Sequence, residues 1–284
     1  MTASGPADGD DVRWMRRALE LAGQADYRTS PNPMVGAVVL DRWGALAGEG
    51  FHRRPGLPHA EAEALAAAGE RAKGGTLVVN LEPCSHHART PPCADAVVRA
   101  GVRRVVAAMV DPNPEVDGAG LERIMEAGIE VAVGACEGEA RRLNSFFIHH
   151  ARTRRPFVSA KFAASLDGKI ATASGQSRWI SGPESRRYTH RLRHIHDAIM
   201  VGVNTVLADD PRLTARDLPE GDPAAAPPGP RQPLRVVLDS ALRIARESRV
   251  LMPEEAGSRP RTLLATTARA DAARVEALRE SGIE

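Results

Sequence analysis

Aromatic side chains are scarce, with two Tyr, five Phe and three Trp in 284 residues. So few rings argue against an extended stacking platform for single-stranded nucleic acid. Net charge is nearly absent as well, at a formal +2. No global field then favours a polyanion, and only a local basic patch could carry such a role. Cysteine is limited to three residues, too few for a disulfide framework. No uninterrupted apolar run reaches membrane-spanning length. The small, acidic stretch from Met1 to Asp10 has no apolar segment of the secretory kind. No G-x-G-x-x-G follows a strand pattern, so a dinucleotide site of the Rossmann type is not supported. These absences lead us to expect a cytoplasmic protein of about two domains, with a flexible leader over residues 1–10 and no membrane or general nucleic-acid partner.

The apolar pattern alternates between two periods. Val12, Met15, Leu19 and Ala22 predict a helix from Asp11 to about Ala25, broken by Ser30-Pro31-Asn32-Pro33. Val35–Leu40 reads as a buried strand, and a second strand runs toward Phe51 after the turn Asp41-Arg42-Trp43-Gly44. Ala60–Ala72, Ala94–Ala100 and Leu121–Ala127 read as helices, and Thr76–Leu81, Arg104–Val110 and Ile129–Val133 as strands. This alternation predicts a layered α/β sandwich over 11–150. A helix over Glu137 to about Thr153 ends in a basic stretch, and a second domain is expected over 156–284. There, strands are predicted at Phe157–Phe162, Ala198–Val201, Leu234–Asp239 and Thr262–Thr266, and helices at Pro183–His194 and Ala268–Ser281. Leu218–Pro233, rich in Pro, Ala and Gly, reads as a surface loop.

Against this frame stand His59-Ala60-Glu61, then Pro83-Cys84, then Cys93. One imidazole and two thiolates suit Zn²⁺, and three protein ligands leave a fourth position open, as a catalytic ion requires. Glu61 is two residues from His59 and free to move protons. The order H-x-E followed by P-C is that of the zinc nucleobase deaminases, except that eight residues rather than two separate the cysteines. His59 and Cys93 both fall where a loop enters a predicted helix, whose positive end favours thiolate. Cys136, in a Gly- and Glu-rich turn, reads as a plain buried or free thiol.

Longer motifs surround these ligands: Pro31-Asn32-Pro33-Met34-Val35-Gly36, Leu81-Glu82-Pro83-Cys84-Ser85-His86-His87-Ala88-Arg89-Thr90-Pro91-Pro92-Cys93 and Asp111-Pro112-Asn113-Pro114. In the second half stand Lys161-Phe162-Ala163-Ala164-Ser165-Leu166-Asp167-Gly168-Lys169, Ser177-Arg178-Trp179-Ile180 and Leu207-Ala208-Asp209-Asp210-Pro211. Together they closely resemble the bacterial bifunctional deaminase–reductases of riboflavin biosynthesis, from the first helix onward. Ala88 stands where that family usually has Gly. The resemblance implies a cytidine-deaminase-like domain followed by a dihydrofolate-reductase-like one. It implies hydrolytic deamination of a diaminopyrimidinone ribosylamine phosphate, then reduction of the ribosyl group to ribityl with NADPH.

Residue by residue, the resemblance implies one Zn²⁺ per protomer on His59, Cys84 and Cys93, with Glu61 as the catalytic proton carrier. Asn32 would bind the pyrimidine, although an Asn between two prolines also caps turns. His86, His87 and Arg89 either meet the substrate phosphate, tune the metal ligands or are solvated. Ala163, Trp179, Thr205, Asp209 and Ser240 would contact NADP, and Ser177, Arg193, Leu213 and Arg216 the substrate. Arg193 and Arg216 suit a phosphorylated sugar, although Arg186–Arg193 also reads as a solvated helix face. Lys161 and Asp167 either act at the site or end the first strand of their domain. Gly128-Ile129-Glu130 leads from a helix into a strand, so a strand is expected to follow Gly282-Ile283-Glu284. The family also carries a Gly-rich phosphate loop further on. The second domain is thus expected to be incomplete at its C-terminus, and a monofunctional deaminase with a vestigial reductase domain is the alternative. The basic 141–155 and 186–196 stretches are all that favour a nucleic-acid editing enzyme, and the complete His59/Glu61/Cys84/Cys93 set argues against a scaffold. The expected partner is a small phosphorylated pyrimidine, with homo-oligomerisation open.

Overall fold

The first helix forms because Met15, Ala18, Leu21 and Ala22 put one apolar stripe on the core side of α1 (Gly9–Gly23). The computed structural model describes residues 9–85, 92–114, 116–219, 221–225, 228–253 and 261–284. Gly9 and Asp10 already belong to α1, and the rest of the expected leader lies outside the described residues.

The chain then forms β1 (Gly36–Leu40), β2 (Leu46–Phe51), α2 (Ala60–Ala68), β3 (Thr76–Val79), α3 (Cys93–Ala100), β4 (Arg104–Ala107), α4 (Ala119–Glu126) and β5 (Glu130–Val133). Helices α5 (Glu137–Leu143) and α6 (Ser145–Thr153) complete this first unit, which extends to Ser159. The sheet order is β2-β1-β3-β4-β5, with β1 antiparallel to both neighbours and β3, β4 and β5 parallel. Every residue of β1 is buried, because helices cover both faces. A Cβ on Gly36 would overlap backbone of α1, whereas one on Gly50 would lie 2.6 Å from Ala64 N and 2.7 Å from Ala60 O in α2. Gly50 pairs with Ala37, the neighbour of Gly36, and successive strand residues face opposite ways. Helices α1 and α2 therefore lie on opposite sides of the sheet. Ala60, Ala64 and Ala68 form the small face that lets α2 settle onto the glycines of β2.

The second unit, Ala160–Glu284, holds α7 (Pro183–Ile195), β6 (Ala198–Gly202), α8 (Val203–Asp209), β7 (Leu234–Leu238), β8 (Thr262–Ala265) and α9 (Ala272–Glu280). Among its described residues the strands are all parallel, in the order β6-β7-β8. Val203, Val206, Val237, Leu242, Ile244 and Leu278 belong to its buried core.

Four local expectations change. Residues 157–162 form no strand, since no described strand pairs with them, and an alternating pattern becomes a strand only where a neighbouring strand accepts it. The helix expected over Glu137–Thr153 is two helices that meet at Asn144, whose side chain is engaged elsewhere. Helix α9 starts at Ala272 because the Asp271 carboxylate caps it, accepting from Arg274 N at 2.9 Å. Helix α8 was not anticipated, and its anchors are the buried Val203 and Val206.

Candidate active site

His59 is the residue immediately before α2, in extended conformation, and Glu61 sits in the first turn. Cys93 is the first residue of α3. Cys84 follows β3, and its carbonyl accepts from Ala94 N at 3.1 Å while its Sγ accepts from Cys93 N at 3.4 Å. Two helix starts and one strand end thus converge. His59 Nδ1 lies 3.6 Å from Cys84 Sγ and 3.2 Å from Cys93 Sγ, and the three ligand atoms all lie within 4.8 Å of one another. Zn–S bonds of about 2.3 Å and Zn–N bonds of about 2.0–2.1 Å in a tetrahedron place S and N roughly 3.6 Å apart. The donor set therefore fits zinc in both chemistry and spacing. His86, His87, Ala88 and Arg89 lie outside the described residues.

The electrostatics agree with a metal-ready site. Hydrogen bonding with Cys93 and then with His59 holds the Cys84 thiol well below its ordinary range, against burial. The partner thiol, Cys93, is pushed up by sharing its proton with Cys84 and by burial. Beside them the His59 imidazole has its own pKa raised by hydrogen bonding with Cys84. Glu61 is buried, which pushes its carboxyl up to about 7. Cys136, before α5, is a free thiol far from the triad in the chain, its Sγ 3.8 Å from Val12 O.

Several supporting residues were not singled out from the sequence. The buried Glu82 accepts four backbone N–H groups: Asp111 at 2.9 Å and Gly118 at 3.0 Å on Oε2, Gly120 at 2.8 Å and Leu121 at 3.4 Å on Oε1. It fixes the start of α4 against the strand end that carries Cys84. Gly120 is required there, because a Cβ would overlap the Pro83 carbonyl oxygen. Asn80 accepts from Gly36 N at 2.8 Å and donates to Met34 O at 3.0 Å. Asn144 accepts from Met34 N at 2.8 Å and donates to the same Met34 carbonyl at 2.9 Å. Together they pin the segment that carries Asn32.

His52 joins Asn32 to the metal ligands. Its ring meets His59 edge-on, with centroids 5.3 Å apart. Its Nδ1 lies 3.0 Å from Pro58 O, which can only accept, so Nδ1 carries the proton. Nε2 is then an acceptor for Asn32 Nδ2 at 3.2 Å. Burial lowers the His52 pKa, which favours this neutral tautomer. Sequence alone gave His52 no signal, because its partners are set by the fold.

In the second unit, Arg193, Leu213 and Arg216 gather around Thr214. Arg193 donates to Thr214 O at 3.1 Å, and Arg216 to Thr214 Oγ1 at 3.0 Å. Burial and then Arg216 lower the Arg193 pKa to about 10. Its buried Nε has no hydrogen-bond partner among the described residues. His190, between the two arginines, is pushed down to about 4, first by burial and then by their charge. Arg178 donates to Asp209 O at 2.8 Å, bringing the segment of Ser177 and the exposed Trp179 to the end of α8. Thr205 also lies on α8. Ser240 lines a crevice of about 390 Å³ at the ends of β6 and β7. Ala163 lies in the unpaired 160–164 stretch, and no described hydrogen bond joins it to the other expected cofactor residues. Asp167 accepts from Ser165 Oγ at 2.5 Å within its own turn, which favours the local role, and Lys161 is exposed.

Comparison with known proteins accounts for both units. Residues 8–109 match the cytidine and deoxycytidylate deaminase zinc-binding region, and residues 156–283 match the RibD C-terminal domain. The chain is 46% identical to riboflavin biosynthesis protein RibD of Aquifex aeolicus, over 96% of this chain and 72% of that protein. It is 50% identical to the Escherichia coli protein of the same name, over 85% of this chain and 66% of that one. Among solved structures, Acinetobacter baumannii RibD superposes with a TM-score of 0.85 at 42% identity, covering 96% of this chain and 72% of that one. A Thermotoga maritima diaminohydroxyphosphoribosylaminopyrimidine deaminase/5-amino-6-(5-phosphoribosylamino)uracil reductase superposes with a TM-score of 0.79 at 39% identity, covering 95% and 77%. The first unit is thus cytidine-deaminase-like and the second dihydrofolate-reductase-like.

Proposed function

The chain belongs to the RibD family of riboflavin biosynthesis enzymes, and on that premise we propose how its residues divide the work of a zinc-dependent deaminase and an NADPH-dependent reductase. The substrate is 2,5-diamino-6-(5-phosphoribosylamino)pyrimidin-4(3H)-one. The first unit replaces its 2-amino group by a carbonyl, consuming water and releasing ammonia. The second reduces the ribosyl group of the product to ribityl.

In the deaminase, His59 Nδ1, Cys84 Sγ and Cys93 Sγ would hold the zinc, which would supply the Lewis acidity that makes water nucleophilic near neutral pH. Glu61 takes the proton from the attacking water, passes it to the ring nitrogen, and delivers a proton to the departing ammonia. Its buried position and its pKa near 7 support this, because a group titrating near the working pH can both accept and donate. Asn32, oriented by His52, holds the pyrimidine edge. The observation that carries the reading is the convergence of the three ligand atoms beside a buried carboxyl two residues from His59.

In the reductase, Arg193 and Arg216 hold the substrate phosphate. The partnerless buried Nε of Arg193 supports this, since a buried guanidinium donor calls for an anionic acceptor. Ser177 and Leu213 lie along the same substrate, while Ala163, Trp179, Thr205, Asp209 and Ser240 contact NADPH. A cytoplasmic location and a small-molecule partner complete the reading. Among the described residues no helix is long and apolar enough to cross a membrane.

The test follows ammonia release and NADPH oxidation separately on one preparation. Ammonia release is expected in either case, and NADPH oxidation separates the bifunctional enzyme from a deaminase with a vestigial reductase domain. Glu61→Gln should lower ammonia release on the order of 10²–10⁴-fold and leave zinc content and reduction of the supplied deaminated intermediate unchanged. Near-normal deamination by Glu61→Gln would overturn the role assigned to that residue.

A further inference from the structure

The crevice of about 390 Å³ in the second unit has an unusual lining for its position. It opens at the C-terminal ends of the adjacent parallel strands β6 and β7, where open α/β sheets receive ligands. Gly202 lines it from the end of β6 and Asn204 from the first turn of α8, Ser240 and Arg243 from the turn after β7, and Arg269 from the turn after β8. Two guanidinium groups from different loops thus face one space large enough for part of a nucleotide.

These loops are tied into one frame. Thr267 N and Thr267 Oγ1 both donate to Ser240 O, at 3.2 and 2.8 Å. Arg269 N donates to Thr267 Oγ1 at 3.3 Å. The turn after β8 is therefore clamped to the turn after β7, which brings Arg269 to the Arg243 side of the crevice. Asp239 holds the base of the turn after β7, its Oδ2 accepting from Ile244 N at 2.8 Å. Arg243 reaches toward the start of α8 and donates to Asn204 Oδ1 at 2.7 Å. That acceptor is neutral. Among the described residues neither Arg243 nor Arg269 forms an ion pair.

We propose that Arg243 and Arg269, with the Ser240 hydroxyl between their loops, read the 2′-phosphate of NADPH and set the preference of the second unit for NADPH over NADH. This rests on the reading of that unit as an NADPH-dependent reductase. A phosphate monoester carries close to two negative charges and three terminal oxygens. It therefore suits donors that arrive from separate loops, and arginine matches it geometrically as well as electrostatically. The one carboxylate in the lining, Asp239, is 1% exposed, whereas both arginines are exposed at the rim. Its Oδ1 has no hydrogen-bond partner among the described residues. A ribose hydroxyl can donate to it while the phosphate stays at the rim. The competing outcome is that Asp239 alone reads an unphosphorylated ribose and the arginines are merely solvated.

Isothermal titration of the whole chain decides between them without turnover. The probes are adenosine 2′,5′-bisphosphate, adenosine 5′-monophosphate, NADPH and NADH. The wild-type chain should bind the bisphosphate and NADPH more tightly than their partners lacking the 2′-phosphate. Arg243→Gln and Arg269→Gln should each weaken the two 2′-phosphorylated probes roughly ten- to a hundredfold, as loss of a charge-assisted hydrogen bond implies. Binding of adenosine 5′-monophosphate and NADH should not change. Arg243→Lys, which keeps charge but not the fork, should fall between. Both side chains are exposed, so the variants should keep the wild-type circular dichroism spectrum. Variants that retain the wild-type discrimination, or that lose all four probes equally, would overturn the assignment while leaving the NADPH reading intact. A wild-type chain that binds neither NADPH nor NADH would overturn both.

Discussion

Replacing Glu82 by Gln tests how the fold holds the metal site, because it changes one atom and leaves side-chain volume in place. Each carboxylate oxygen accepts two backbone N–H groups, Asp111 and Gly118 on one, Gly120 and Leu121 on the other. An amide has one accepting oxygen, so its NH₂ group must face one of these donor pairs. Whichever way it turns, one bond of 2.8 or 2.9 Å to a buried N–H is lost together with its longer companion. A buried donor left without a partner costs about 1–3 kcal/mol. The pair comprises one short bond and one that is either 3.4 Å long or partly buried, so the total should be about 2–4 kcal/mol. A domain with a stability of about 5–15 kcal/mol would survive this. Urea denaturation of the zinc-loaded chain, followed by far-UV circular dichroism, should show the first unfolding midpoint moving down with an unchanged slope. Cys84 lies two residues from Glu82, so zinc retention against a chelator should weaken in parallel. A Glu82→Gln chain as stable as wild type would show that the four N–H groups find water, and the anchoring argument would fail.

Other outcomes follow from the same geometry. Cys84→Ser should lose most of its zinc by metal analysis of purified protein, and full retention would contradict the assigned ligand set. Gly50→Ala places a Cβ against the backbone of α2, so overpacking should cost about 1–3 kcal/mol in the same denaturation assay; an unchanged midpoint would mean that the helix can shift freely. His52→Phe keeps a ring beside His59 but removes the acceptor for Asn32, so deaminase KM should rise while zinc content holds, and an unchanged KM would separate Asn32 from the substrate. Arg193→Lys should raise the reductase KM for phosphorylated substrate more than it alters kcat, measured by NADPH oxidation, because a lysine cannot reproduce the fork.

What the chain carries locally was legible in its letters. The α1 stripe, the continuous burial of β1 and the alanine face of α2 follow from periodicity and side-chain size. His59, Cys84 and Cys93 were legible for a different reason, since a metal needs few residue types and tolerates little variation in their order. Segment 157–162 showed the limit of periodicity, because a strand exists only when another strand accepts its hydrogen bonds. Polar partnerships across the fold were silent. Asn144 is 110 positions from Met34, and Glu82 reaches backbone up to 39 positions away. A buried side chain that binds main chain leaves no pattern in the partner's identity, because any residue supplies the same N–H or C=O. The tertiary structure alone decided that Asn144 breaks a helix to hold Met34, that His52 orients Asn32, and that Arg193 and Arg216 meet at Thr214. The sequence determined which chemistry could be assembled, because ligand type and helix-start placement are local. Where each supporting group points depends on a sheet order and on close helix contacts that exist only once the chain is folded.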